Sequence, residues 1–304
     1  MFRSRRCGVE MTLALAALLS PMLPAAARAQ HRANPSYSAI PAMAALPPFP
    51  GIEDANAEID RLSAPGVTKL QQRLILFEGV LAVGHLPCSG TIRCDADRGV
   101  TIGCLQFGLA GRLQPILRAM DQAHPRRFAS AFGAHVEEIR TMLDLPTIPA
   151  QVAWARSIAD ATGNLVGSWP AEFATLAAMP EFQSVYLEST IMRYRRAAAW
   201  AERYSLRSRR GLALMFDLAL FRGISSEQET VLTDAMHAAD LQGSSAATEL
   251  RRLRTFASAR SDMEPNALLR FHLTTIAEGY TPFLGYALDL AAFGITLDPV
   301  GREE

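Results

Sequence analysis

One stretch, residues 71–114, joins two kinds of pattern and restricts the fold more than any other part of the chain. Apolar residues recur at helical spacing over residues 70–81, and a glycine and a proline soon end that pattern at residues 84–87. An acidic turn over residues 95–99 then leads into the alternating run 100–107. The stretch therefore predicts one amphipathic helix followed by one arm of a β-hairpin.

The rest of the sequence is typical of helices. Apolar residues continue at helical spacing from Gly111 almost to the end, and Ser225 and Ser245 stand where helix N-caps are expected. We therefore predict a mainly α fold with one small β-hairpin or sheet, in a single two-lobed unit. The predicted segments include Phe128 to Leu145, a long and mostly buried central helix from Glu181 to about Ser205, and a final pair, Glu264 to Gly279 and Pro282 to Phe293.

The first 29 residues are typical of a bacterial secretory signal peptide. A basic start precedes an apolar run at residues 11–19, and Ala27-Arg28-Ala29 fits a small-x-small cleavage site. The run is too short for a stable membrane span. We expect an exported protein, periplasmic or extracellular after cleavage near Ala29. The remaining chain divides into an Ala/Pro-rich lead-in (30–65), one folded domain (66–298) and a short tail (299–304).

The charge balance gives no electrostatic case for nucleic-acid binding. The chain has 30 Lys and Arg against 30 Asp and Glu. Without residues 1–29, which hold four arginines and one glutamate, the formal net charge is about −3. The six histidines form no pair at a spacing useful for metal binding. We therefore expect no nucleic-acid partner, no metal and no cofactor.

Three cysteines, Cys88, Cys94 and Cys104, remain after the predicted signal peptide and surround the predicted hairpin. An oxidising compartment favours one disulfide and one remaining thiol. A Cys88–Cys94 bond would close a short loop, and a Cys94–Cys104 bond would join strand to strand. The sequence does not choose between these pairings.

Glu78 is the first candidate for chemistry. It lies at the edge of the apolar stripe of its predicted helix, where partial desolvation raises the pKa of a carboxyl toward the range of a general acid. A second carboxylate at the hairpin turn would complete a two-carboxylate glycosidase arrangement. The structural alternative is a helix-end carboxylate paired with Arg73 or Arg98. Asp217 lies in a segment that is hydrophobic all round, so it either pairs with an arginine or lines a cleft.

Several motifs, in order, carry a family resemblance over about Lys69 to Leu297. They are Phe77-Glu78-Gly79, the turn Asp97-Arg98-Gly99-Val100-Thr101-Ile102-Gly103, Leu105-Gln106-Phe107-Gly108, Leu113-Gln114-Pro115, Met215-Phe216-Asp217 and the closing Phe293-Gly294-Ile295-Thr296. Together they resemble the chitosanase-like branch of the lysozyme superfamily. Within that branch, the chain is most similar to secreted bacterial proteins described as peptidoglycan-associated.

The resemblance implies a helical, lysozyme-like, two-lobed fold with a saccharide cleft between the lobes. It assigns Glu78 as the general acid and an Asp just before the turn glycine as the base that activates water. It also implies that Thr101 positions this water and that Gln106 and Asp217 lie near the substrate. Arg98, in the same turn, is a further candidate for substrate binding.

The chain departs from the family pattern at the base, because Ala96 occupies the position of the expected Asp. Asp97 is the preferred replacement for its place in the turn, and Asp95 is the alternative. We expect an exported glycosidase that cleaves a β-1,4-linked amino-sugar polymer, with peptidoglycan preferred and chitosan second. Without a base, Glu78 alone could support lytic cleavage. Two competing hypotheses are a catalytically silent peptidoglycan-binding protein and a purely structural helical domain.

Overall fold

A computed structural model describes residues 46–61, 64–88, 90–221, 223–239 and 241–301, and the predicted signal peptide lies outside these ranges. The fold is mainly helical with small antiparallel sheets, which confirms the predicted fold class. The helices are α1 (Ile52–Arg61), α2 (Lys69–Val83), α3 (Gln114–Ala123), α4 (Pro125–Phe132), α5 (Val136–Leu143), α6 (Ile148–Ser157), α7 (Trp169–Ala178), α8 (Pro180–Glu188), α9 (Ile191–Arg203), α10 (Arg209–Phe221), α11 (Ser226–Ala238), α12 (Ala246–Asp262) and α13 (Ala267–Glu278). The strands are β1 (Ile92–Asp95), β2 (Gly99–Ile102), β3 (Phe107–Gly108), β4 (Tyr280–Phe283) and β5 (Tyr286–Asp289).

Two helices form the centre of the core. In α10 every residue from Gly211 to Leu220 is buried, and it packs against α2, α9 and α13. Most of α2 is buried too. The α2 helix begins where the Thr68 side chain accepts a hydrogen bond from the Gln71 N–H, and it ends at Gly84 in the left-handed conformation. Because both helices are enclosed, any polar side chain on them needs a partner inside the protein.

The predicted long central helix is wrong. The segment from Glu181 to Ser205 consists of two helices, α8 and α9. Only a few of their side chains are buried in the core. The break follows from the buried Thr190, whose hydroxyl donates to the Leu187 carbonyl at 2.7 Å and accepts from Gln71 Nε2 at 2.6 Å. A side chain bonded to the backbone in this way competes with the helical ladder. The mostly buried helix is α10 instead, from Gly211 to Leu220.

Other predicted helix boundaries give a mixed result. The predicted helical segment from Phe128 to Leu145 divides into α4 and α5 at Gly133, whose φ is 51°. Both predicted N-caps are confirmed. Ser225 forms a reciprocal capping box with Gln228, and Ser245 accepts from the Thr248 N–H.

The predicted hairpin after α2 is present. Strands β1 and β2 pair antiparallel with Asp95 opposite Gly99, and β3 adds to the other edge of β2. The disulfide joins Cys88 to Cys104, so neither predicted pairing of Cys94 is formed. Cys104 lies in the turn after β2, which brings it next to α2. Cys88, in the loop that follows α2, contacts the same helix, whereas Cys94 is on β1.

The last predicted helix, Pro282 to Phe293, is also wrong, because most of this segment is the β4–β5 hairpin. Its two turn residues, Leu284 and Gly285, both have positive φ values, 52° and 86°. Positive φ at both central positions is the geometry of a tight two-residue hairpin turn. This turn overrides the helical periodicity.

Part of the predicted lead-in belongs to the core. Phe49 is buried, and its N–H donates to the Ala287 carbonyl at 3.1 Å, while the Ala287 N–H donates to Pro47 at 2.8 Å. The apolar side of α1 is buried as well. Among the described residues, no helix is both long and apolar enough to cross a membrane.

The close approach of α2 to the disulfide generates a prediction at Gly79. A Cβ at this position would lie 2.7 Å from Cys104 Cβ and 2.7 Å from Cys88 Sγ. We expect Gly79→Ala to lower the free energy of unfolding by about 1–3 kcal/mol, because the cross-linked cysteines cannot move aside. The measurement is urea unfolding.

Gly111→Ala is the matched control, since a Cβ there meets no atom within 4 Å. The control should be neutral or slightly stabilising, because alanine reduces the conformational entropy of the unfolded chain relative to glycine. Equal stability of the two variants would contradict the packing argument.

Candidate active site

Three buried ionisable side chains from three helices meet in the core. Glu78 lies on α2, Asp217 on α10 and His272 on α13. Their exposed fractions are 1%, 1% and 2%, and one ligand-type atom from each lies within 4.8 Å of the other two. The packing of α10 against both α2 and α13 brings them together. We refer to Glu78, Asp217 and His272 as the acidic cluster.

Within the acidic cluster, one hydrogen bond is well defined. His272 Nδ1 lies 2.8 Å from Asp217 Oδ1. An ionised carboxylate is acceptor-only, so with Asp217 ionised the Nδ1 atom carries the proton of this bond. His272 Nε2 and both carboxylate oxygens of Glu78 are buried without a hydrogen-bond partner of normal geometry in the part of the chain that the structure describes. The acidic cluster therefore holds unsatisfied polar atoms, which are rare in protein interiors.

Burial raises the pKa of Glu78 well above its usual range. The largest cause is the loss of hydration, which penalises the charged carboxylate. The negative charge of the neighbouring Asp217 acts in the same direction. Glu78 is therefore a neutral acid under conditions in which an exposed glutamate is charged.

The structure changes the sequence-based hypotheses for Asp217 and Glu78. The sequence predicts Asp217 beside an arginine or in a cleft, and its partner is instead His272. Arg98, one suggested partner of Glu78, forms its ion pair with Asp95. Sequence reasoning missed His272, because 55 residues separate it from Asp217 and no local spacing connects them.

The two candidate bases have different environments in the hairpin. Asp95 is partly buried and is held by Arg98, which also donates from Nη1 to the Gln106 carbonyl at 3.3 Å. Asp97 is exposed in the turn. Among the residues described, neither carboxylate hydrogen-bonds to a member of the acidic cluster.

Thr101 and Gln106, the other predicted site residues, are bonded to each other. The Thr101 hydroxyl donates to Gln106 Oε1 at 3.2 Å, and Gln106 Nε2 donates to the Gly103 carbonyl at 2.7 Å. Both side chains are buried, and Gln106 has a φ of 47°. A non-glycine residue in this region is uncommon and needs support from its surroundings. In this structure the pair stabilises the turn between β2 and β3.

The acidic cluster is also the one group in the described ranges whose composition suits a metal ion. Two carboxylates and an imidazole can ligate a divalent cation, with ligand distances of about 2.0–2.2 Å. One ligand-type atom of each side chain lies within 4.8 Å of the other two, so all three can approach a common ion. No sequence pattern indicates this group, since its members come from three separate helices.

The pKa of Glu78 predicts how stability depends on pH. Below about pH 4.3 the carboxyl is protonated in both folded and unfolded chains. Above that value the unfolded chain loses the proton while the folded protein keeps it, so wild-type stability falls by about 1.4 kcal/mol per pH unit until the folded pKa is reached. Glu78→Gln should therefore gain stability relative to wild type between about pH 4 and pH 7 in urea unfolding.

Glu202→Gln is the control, because Glu202 is an exposed carboxylate on α9. It should differ from wild type by a small offset across this range. If Glu78→Gln also showed a constant offset, the pKa of Glu78 would not be raised.

Comparison with known proteins gives limited similarity. No family model matches the sequence, and no curated protein matches it. Among solved structures, the chain is similar to that of the Gynuella sunshinyii GH46 chitosanase GsCsn46A in complex with chitotetraose. The two share 15% sequence identity and a TM-score of 0.42, over 69% of this chain and 85% of the chitosanase chain. A TM-score below 0.5 is too low for the function of the chitosanase to be carried over to this chain.

Proposed function

We propose that this protein is a glycoside hydrolase or lytic enzyme that cleaves a β-1,4-linked amino-sugar polymer, with Glu78 as its general acid. The observation that supports this proposal is the burial of Glu78 beside Asp217, which keeps its carboxyl protonated. A glycosidase needs such an acid to protonate the leaving oxygen of the glycosidic bond. The resemblance of the flanking motifs to the chitosanase-like branch assigns Glu78 the same role.

The proposal requires that a bound glycan reach Glu78. Both carboxylate oxygens are buried in the free protein, so α2 and its neighbours must separate slightly on binding. Catalytic contacts often form fully only in the complex with substrate. The desolvated surroundings of Glu78 keep its carboxyl protonated until the leaving oxygen of the substrate reaches it.

Asp97 is the preferred base within this proposal. A base that activates water has to be ionised and free to accept a proton. Asp97 is exposed and forms no ion pair among the residues that the structure covers, whereas Asp95 already forms an ion pair with Arg98. In an inverting mechanism the two carboxyls are about 6.5–9.5 Å apart, with the water between them.

Peptidoglycan is the preferred substrate and chitosan the second. A chitosan site should collect carboxylates to bind ammonium groups, and the near-neutral chain has no such excess. We also propose export, on the basis of the signal-peptide pattern of residues 1–29, which would deliver the protein to the compartment of the cell wall.

A catalytically silent glycan-binding protein is the second candidate. The burial of Glu78 and the Arg98–Asp95 ion pair favour it, because neither carboxyl is free in the unbound protein. Ala96, at the position of the family's base, favours it as well.

The first test of the proposal follows the release of reducing ends from purified sacculi and from chitosan. We expect wild type to cleave at least one polymer and Glu78→Gln to be about 10²–10⁴-fold slower, because the amide cannot donate the proton. The exposed Glu202→Gln should retain wild-type activity. Equal rates for Glu78→Gln and wild type would remove Glu78 from the mechanism. Binding without cleavage by wild type would support the second candidate.

The base is tested separately with Asp97→Asn and Asp95→Asn on the cleaved polymer. We expect Asp97→Asn to be slower by about 10²-fold or more, because the water loses its proton acceptor. Asp95→Asn should have the smaller effect. Azide, a small nucleophile that attacks the anomeric carbon in place of water, should restore part of the cleavage rate of Asp97→Asn, measured as shortening of the polymer with a glycosyl azide at the new end. The opposite order would assign the base to Asp95, and unchanged rates in both variants would indicate cleavage with Glu78 alone.

A further inference from the structure

A polar cavity lies away from the acidic cluster, between the ends of α9 and α11 and the start of α12. Its volume is about 740 Å³, and no residue of the acidic cluster lines it. Its walls carry the basic side chains of Arg203, Arg207, His237 and Arg252. Hydroxyl and amide groups from residues 204–205, 233 and 242–244 complete the lining. The volume falls within the usual range of small-molecule sites, about 300–1,000 Å³. We refer to it as the arginine pocket.

Two of the four basic groups are already compensated. Arg203 forms an ion pair with Glu229 at 3.0 Å. The buried Arg252 donates to the carbonyls of Leu241 and Gly243 and lies 3.5 Å from Glu249.

The other two, Arg207 and His237, are exposed and have no carboxylate partner among the described residues. No carboxylate in the described ranges lines the arginine pocket. The described lining of the arginine pocket is therefore positively charged, with Arg207 as the guanidinium available to a ligand.

The backbone of Arg207 is held by hydrogen bonds at both its N–H and its carbonyl. Glu249 Oε1 is buried and accepts from the N–H groups of Arg207 and Ser208 at 2.8 and 2.9 Å. On the other side, the Val300 N–H donates to the Arg207 carbonyl at 3.0 Å. A backbone held at both its N–H and its carbonyl presents the guanidinium from a rigid support, which lowers the entropic cost of binding.

The start of α12 adds to the attraction for an anion. Gly243 and Ser244 line the arginine pocket just before this 17-residue helix begins. The buried Tyr204 hydroxyl, beside Thr233, is a further polar group of the lining. The N-terminus of a helix attracts negative charge.

We propose that the arginine pocket binds a small polar ligand that carries a carboxylate, such as an acidic monosaccharide. Arg207 binds the carboxylate, because the planar guanidinium donates two parallel hydrogen bonds to it. The hydroxyl and amide groups of the lining bind the neutral, hydroxyl-bearing part of the ligand. The site is independent of cleavage at Glu78, since the two share no residue.

Calorimetric titration of the whole protein tests the proposal with glucuronate and glucose, two sugars that differ in the carboxylate. We expect glucuronate to bind at least about tenfold more tightly than glucose, and its binding to weaken as salt is added. Equal binding of the two sugars, or no binding of glucuronate, would overturn the proposal. Inorganic phosphate is titrated in parallel. Tighter binding of phosphate than of glucuronate would assign the arginine pocket to phosphate and overturn the choice of a carboxylate.

Variants locate the binding site. Arg207→Gln should weaken glucuronate binding about tenfold or more, because it removes the charged donors while leaving the backbone contacts in place. Arg195→Gln is the matched control, since Arg195 is an exposed arginine on α9 that does not line the arginine pocket. It should bind as wild type does. A loss of equal size in both variants would indicate a general charge effect and contradict the proposal.

Discussion

The structure depends on the burial of two neighbouring carboxyl groups where α2, α10 and α13 meet. Burial removes the hydration of Glu78, and the negative charge of Asp217 beside it raises the pKa of Glu78 further, so Glu78 keeps its proton. The imidazole of His272 hydrogen-bonds to Asp217 on the other side. The same core that defines the fold therefore also sets the protonation of the proposed catalytic acid. A change in the packing of α10 would alter both together.

The hairpin is attached to this core through the disulfide. Cys88 and Cys104 bring the turn after β2 back to α2 at Gly79, the residue that directly follows Glu78. The absence of a side chain at Gly79 allows the close approach. The Asp95–Gly99 turn is thus joined covalently to the helix of the acid, although its described carboxylates form no hydrogen bond with the acidic cluster. In our proposal this attachment keeps the candidate base in a constant relation to the acid.

The sequence predicted those features that local chemistry determines. The helical class, the hairpin after α2 and the caps at Ser225 and Ser245 follow from periodicity, turn residues and side-chain hydrogen bonds within a few positions. The errors arise where distant residues decide the outcome. Thr190 divides a predicted helix through its contact with Gln71, more than one hundred positions away.

In the candidate site, too, the sequence predicted what local chemistry determines and missed what distant contacts determine. The apolar stripe around Glu78 predicted a desolvated acid, and the structure buries this carboxyl. His272 could not be predicted, because only the packing of α13 on α10 brings it to Asp217. The Cys88–Cys104 bond was missed for a similar reason, since the return of the chain after β2 is a tertiary feature.

The pairing of Pro47 and Phe49 with Ala287 has a consequence for the order in which the chain can fold. Residues near the start of the described chain find their hydrogen-bond partners about 240 positions later. During synthesis the early segment has no partner until the final hairpin has emerged. Completion of the native state is therefore postponed until nearly the whole polypeptide is available.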